Sequence, residues 1–263
     1  MERRVSKTVR KLAVALTKGG TGKSTTAVNL GAGLARAGNR VLLVDTDTQG
    51  QDALMLGVRP EAGLALFVEG EATAKQAIVE ARTNLFLLAG DHTLANLKRT
   101  VALREFGGEK VLSEALKPLE KDYDYIVIDT APGWDPLTVN VLFYAAEILA
   151  PVSLEVLSLQ GLVEFEERIK AIQVYNKSLV LRYVLPTFLD GRVRKSAEIF
   201  AQLRAHYPLQ ICEPIRYNVR VAEAPGFGQS LSEFAPRSTG ANDYQKLVER
   251  IQHGTKKNAR CDE

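Results

Sequence analysis

One short glycine-rich stretch constrains this chain more than any other feature. Thr17-Lys18-Gly19-Gly20-Thr21-Gly22-Lys23-Ser24-Thr25 follows an apolar run at 12–16 and leads into helical apolar spacing at 24–37. Glycines at 19, 20 and 22 let backbone N–H groups close on a polyphosphate that side chains would hold off, and the helix N-terminus behind them adds partial positive charge. Lys23 is placed to neutralise β- and γ-phosphates, and the hydroxyl of Ser24 to ligate Mg²⁺. Composition, spacing and strand-helix context together predict a phosphate-binding loop.

The rest of the chain keeps the same alternation. Apolar runs at 41–44, 85–88, 125–128, 148–152 and 180–185 read as strands buried on both faces, as in a parallel sheet. Between them, helical spacing recurs at 109–119, 138–146, 162–175, 196–206 and 240–251. The predicted fold is a doubly wound α/β domain, a mostly parallel sheet with helices on both faces. Segment 56–84 is the least legible and predicts short helices over the sheet edge. The 263 residues suit one domain, with a basic arm at 1–10 and a polar tail at 252–263.

Two strand ends carry carboxylates. The run at 41–44 leads into Asp45-Thr46-Asp47-Thr48-Gln49-Gly50, and the run at 125–128 into Asp129-Thr130-Ala131-Pro132-Gly133. An open α/β sheet binds its ligand at the carboxyl ends of its strands, so these aspartates face the phosphate loop. There a carboxylate can hold a Mg²⁺ water or orient an attacking water, the positioning that phosphoryl transfer requires.

Lys18 adds a second lysine at the start of the loop, and Lys18-Gly19-Gly20-Thr21-Gly22-Lys23-Ser24 resembles the deviant-Walker ATPases of the ParA and MinD group. The resemblance implies an ATP- and Mg²⁺-dependent ATPase whose residues Lys18 to Thr25 hold the nucleotide. It also implies that Lys18 reaches across a homodimer to the partner's triphosphate, so that ATP closes the dimer and hydrolysis opens it. Asp45, Asp47, Gln49 and Gly50 match the family's Asp-x-Asp-x-Gln-Gly. By that match Asp47 acts on the hydrolytic water, and Asp45 and Asp129 stand on the metal side with Ser24. The usual proline pair after the Walker B aspartate is absent, since Ala131 takes the first place.

Later segments resemble the ParA branch in particular: Pro151-Val152 with Glu155 and Gly161, Thr187-Phe-Leu-Asp190-Gly-Arg192, and Asn218-Val-Arg220-Val-Ala-Glu223-Ala-Pro225. They imply that Glu155 faces Lys18, that Pro214 and Asn218 lie on the nucleotide, and that Arg192 and Arg220 hold double-stranded DNA without reading its sequence. The family's Pro-Arg ahead of the asparagine is Arg216-Tyr217 here. A centromere-binding (ParB-like) or cargo-adaptor protein is the implied stimulating partner, and the nucleoid within the cytoplasm the implied address.

Other classes fit less well. No apolar stretch approaches the roughly 18 residues a bilayer span needs, and 252–263 lacks the apolar helix face of a MinD-like membrane anchor. Cys212 and Cys261 stand far from the loop and from histidines, which predicts plain thiols rather than a zinc site or a cluster. With some ten residues ahead of the first strand, no N-terminal helix-turn-helix is expected. Arginines and lysines at 3, 4, 7, 10 and 11 are expected to enlarge the basic patch, as are Arg182, Arg194, Lys195 and Arg216. A biosynthetic P-loop ligase of the dethiobiotin-synthetase type is the alternative from another class.

Overall fold

The computed structural model describes residues 8–258. In chain order the elements are β1 (Arg10–Val14), α1 (Lys23–Arg36), β2 (Val41–Asp45), α2 (Gln51–Leu56), α3 (Leu64–Val68), α4 (Ala74–Ala77), β3 (Ile78–Arg82), β4 (Leu85–Leu88), α5 (Leu94–Ala102) and α6 (Val111–Leu116). They continue as β5 (Tyr125–Asp129), α7 (Pro136–Tyr144), β6 (Glu147–Ser153), α8 (Val156–Gln173), β7 (Val180–Thr187), α9 (Arg194–His206), α10 (Val219–Glu223), α11 (Leu231–Phe234) and α12 (Thr239–Asn258).

The strands form one sheet in the order β3-β4-β2-β5-β1-β6-β7, parallel throughout except for the β3–β4 pair. Every residue of β2 and β5 is buried, which is why both read as unbroken apolar runs. Alternate residues feed opposite layers. Leu42, Val44, Ile126 and Ile128 pack towards α5, α7 and α8, while Val41, Leu43 and Val127 pack towards α1 and α12. β1 lies between β5 and β6, so the connection that leaves it emerges where strand order reverses, the place where open α/β sheets bind ligands.

Several elements differ from the sequence expectation. Segment 56–84 does hold the short helices α3 and α4, but it also holds β3, an antiparallel edge strand joined to β4 through Asn84 at φ 66°. Five mixed residues with a register shift between Glu80 and Arg82 give no readable alternation. The helix predicted at 109–119 is broken into a 3₁₀ turn, α6 and a second 3₁₀ turn that contains Pro118, because proline cannot continue the α ladder. At the C-terminal end α12 runs on to Asn258, so the polar tail expected from residue 252 is helical over its first part.

The basic N-terminal patch is also corrected where it is described. Arg10 belongs to β1, where it donates to Glu147, Tyr183 and the carbonyl of Ile251, and Lys11 pairs with Glu120. Arg3, Arg4 and Lys7 lie outside the described residues, as does Cys261. Cys212 is buried and free, and burial pushes its thiol up to about 12, which makes it a packing residue. Among the described residues no helix is long and apolar enough to cross a membrane.

Candidate nucleotide site

The loop after β1 turns on two glycines in the left-handed region, Gly20 at φ 71° and Gly22 at φ 86°. Gly22 caps α1, which begins at Lys23. Two neighbours fix the loop's course: Thr187 Oγ1, at the end of β7, donates to the carbonyl of Thr21 at 3.0 Å, and the N–H of Gly133 donates to the carbonyl of Thr17 at 2.8 Å. The second bond ties the loop to the segment that follows Asp129, so the ends of β1 and β5 form one unit.

The two lysines occupy different settings. Lys23 is buried, its ammonium donates to the carbonyl of Lys18 at 3.0 Å, and burial lowers its pKa against the opposing pull of Asp129 and Asp47. Lys18 instead reaches α8, donating to Glu155 Oε2 at 2.9 Å and to Ser158 Oγ at 3.0 Å. The structure thus brings Glu155 to Lys18, on the open side of the loop.

Carboxylates close the site from β2 and β5. Asp45 and Asp129 pair in register at the strand ends, and Thr46 Oγ1 donates to the carbonyl of Asp129 at 2.7 Å. Asp45 accepts from the N–H groups of Asp47 and Asp52, and burial raises its pKa to about 6. Asp129 is pushed well above the usual carboxylate range, by burial first and then by Asp45. It accepts no close hydrogen bond, the Ser24 hydroxyl approaching it only loosely. Asp47 is half-buried and accepts from the N–H of Gln49 at 3.0 Å, which leaves it at the edge of the site rather than inside it. The loop that carries it is tightly seated: a side chain at Gly50, φ 57°, would meet the carbonyl of Gly90.

Asp52, which sequence reasoning does not single out, joins this group. It is fully buried in α2, and its position two residues past a recognised motif gave no signal. Buried carboxylates with unmet oxygens suit a hard cation, so the residues present fit Mg²⁺, with Ser24, Asp45 and Asp129 at hand. Bound there, Mg²⁺ would supply charge neutralisation between phosphate oxygens.

Beside the loop opens a cavity of about 420 Å³, lined by Gly22, Thr25, Phe188, Tyr217, Asn218 and neighbouring apolar residues. Asn218 caps α10 and donates to Thr239 Oγ1, whereas Pro214 is not among the lining residues, which in that segment start at Ile215. Arg216 is part of the wall, held by Asp243, whose carboxylate is almost fully buried. Phe188 takes an uncommon φ of 57° and sets its ring against Gly22, a strained backbone of the kind found at ligand sites.

The segments that carry Arg192 and Arg220 are linked by the pairing of Leu189 with Arg216. Both arginines are exposed, Arg192 paired with Asp190 and Arg220 with Glu223. The expected enlargement of this patch is reduced, since Arg194 pairs with Glu198 and Arg216 with Asp243.

Residues 9–181 match the family model described as an AAA domain. The chain is 39% identical over 245 residues to the chromosome-partitioning ATPase Soj of Thermus thermophilus, a match that covers 92% of this chain and 95% of that protein. It is 32% identical over 251 residues to the chromosome partitioning protein ParA of Caulobacter vibrioides, with 92% and 94% covered. Among solved structures, cobyrinic acid a,c-diamide synthase from Mycobacterium smegmatis with bound ADP and magnesium is similar at a TM-score of 0.81 and 30% identity, over 94% of this chain and 96% of that one. Since the kinship runs far beyond the phosphate loop, the chain belongs to the ParA/MinD superfamily of P-loop ATPases, the partitioning and positioning ATPases, and is itself an ATPase.

Proposed function

We propose that the protein is an ATP-dependent dimerising switch that binds DNA without regard to sequence and positions a DNA or protein cargo over the nucleoid. The observation that carries this reading is the setting of Lys18. Its ammonium is held by Glu155 and Ser158 on the open side of the loop, while Lys23 fills the loop's own interior. A second cation at the mouth gains most when another subunit brings a triphosphate to it, so its binding energy belongs to the dimer. Lys23 and the loop N–H groups hold phosphate, Ser24, Asp45 and Asp129 face Mg²⁺, and Asp47 orients water from the rim.

Dimerisation doubles the number of Arg192 and Arg220 side chains offered to a duplex. Each must exchange an exposed carboxylate partner for a phosphate, a small cost because exposed pairs contribute little. The weak ATPase activity is raised by a centromere-binding or cargo-adaptor protein, as the partitioning names of the relatives suggest.

The test is a titration of two unrelated duplexes with ATP and with ADP at two salt concentrations. Binding is expected only in the ATP state and equal for both duplexes. Its salt slope should fall by about one for each phosphate that a variant no longer engages. Arg192→Glu and Arg220→Glu should weaken both duplexes alike. An ATP-loaded protein without affinity for either duplex at low salt overturns the reading. It would favour the biosynthetic alternative, and one similar solved structure is by name a synthase.

A further inference from the structure

Asp52 is entirely buried in α2, and neither of its carboxylate oxygens meets a hydrogen-bond donor. Its backbone N–H donates to Asp45 Oδ2 at 3.3 Å, which seats the residue at the ends of β2 and β5. One oxygen from each of Asp45, Asp52 and Asp129 lies within 4.8 Å of the other two. Oxygens that ligate one ion at about 2.1 Å stand about 3 to 4.2 Å apart, so the three carboxylates are close enough to share a hard cation with at most a small side-chain adjustment. The nearby ammonium, Lys23, is already engaged with the carbonyl of Lys18, and one such charge cannot balance three carboxylates. A buried carboxylate without partners is costly when charged; it takes up a proton or coordinates a cation, and three converging on one point suit a cation.

We propose that Asp45, Asp52 and Asp129 form a divalent-cation site that takes Mg²⁺ or Mn²⁺ before any nucleotide is bound, with Asp52 as its added ligand. This rests on the reading of Asp45 and Asp129 as metal-side carboxylates and extends it. In a phosphate loop with two carboxylates the triphosphate must complete the ion's shell, whereas a third carboxylate lets the protein hold the ion alone. All-oxygen ligation favours Mg²⁺ and Mn²⁺ over softer ions. The nucleotide would then arrive at a site whose charge is already partly neutralised.

The full-length, nucleotide-free protein is titrated with Mn²⁺ while free Mn²⁺ is followed by electron paramagnetic resonance. Wild type is expected to bind about one ion per chain, displaced by Mg²⁺, with Asp52→Asn and Asp45→Asn each weaker by about tenfold or more. A rise in melting temperature with Mn²⁺ alone, present in wild type and abolished in Asp52→Asn, is the second readout. Binding of a fluorescent ATP analogue with Mg²⁺ present is measured in parallel. Nucleotide bound with no Mn²⁺ uptake by the apo protein overturns this inference and spares the ATPase reading, whereas failure to bind nucleotide overturns that reading. Should Asp52→Asn and Asp45→Asn keep wild-type Mn²⁺ affinity, the ion sits elsewhere and the proposal falls. If Asp52→Asn does not fold, the wild-type titration and Asp45→Asn still decide.

Discussion

Lys23 is buried against the carbonyl of Lys18, whereas the Lys18 side chain extends to Glu155, which precedes α8, and to Ser158 in its first turn. Removing each has a different consequence. Lys23→Ala takes away the charge inside the loop, and its affinity for a fluorescent ATP analogue should fall by about tenfold or more, the scale of one charge-assisted hydrogen bond. Asp47→Ala leaves the loop untouched and removes a group at its edge, so the same affinity should hold while phosphate release slows by about a hundredfold or more. Near-normal turnover in Asp47→Ala would sink its assignment to the attacking water. At this scale the sequence was informative wherever geometry demands a residue type, as at Gly20 and Gly22. It was silent on Asp52, because an aspartate in a helix's first turn is ordinary in sequence and becomes unusual only when β5 brings Asp129 beside it. Arg10 misled for the converse reason: a cation in a basic cluster reads as solvated, and only the fold supplies Glu147 and Tyr183.

Elements read from the sequence in proportion to their burial. β2 and β5, covered on both faces, lie within a residue of their predicted spans. β3, held on one edge, was missed, and α5 with its alternating polar positions was missed as well. Burial writes a pattern into a strand, and partial burial leaves the pattern mixed. Turns show the same dependence on context. Gly38 and Gly50 both have positive φ, at 87° and 57°, but a side chain at Gly38 meets open space whereas one at Gly50 meets the backbone of Gly90. Gly38→Ala should therefore cost only the left-handed conformational penalty, about 1 kcal/mol. Gly50→Ala adds a backbone collision and should cost about 2 to 4 kcal/mol, or several degrees in melting temperature at about 2–4 °C per kcal/mol. Equal melting temperatures for the two variants would show that the Gly50–Gly90 approach relaxes freely. Gly50→Ala should also slow hydrolysis, since the same loop carries Asp47.

At the scale of the whole molecule, the switch reading requires that assembly follow the nucleotide. Light scattering should find wild type dimeric with ATP and Mg²⁺ and monomeric with ADP, and Lys18→Ala monomeric in both; equal dimerisation of the two proteins in ADP would refute the shared-lysine interface. The surfaces through which copies meet are further limited by how the sheet ends. β7 is bordered by the bridge Val184 to Ile211, and the chain just past it by the bridge Leu189 to Arg216, so later chain already occupies part of its outer side. At the opposite margin β3 is short, shifted in register and exposes Glu80, and Arg82 is tied to Glu233 and the carbonyl of Gly228. Neither margin offers the long flat row of free amides that templates strand addition. If the proposed DNA-bound state holds, copies crowded on a duplex at high local concentration should therefore show little tendency to convert reversible pairing into amyloid-like aggregation.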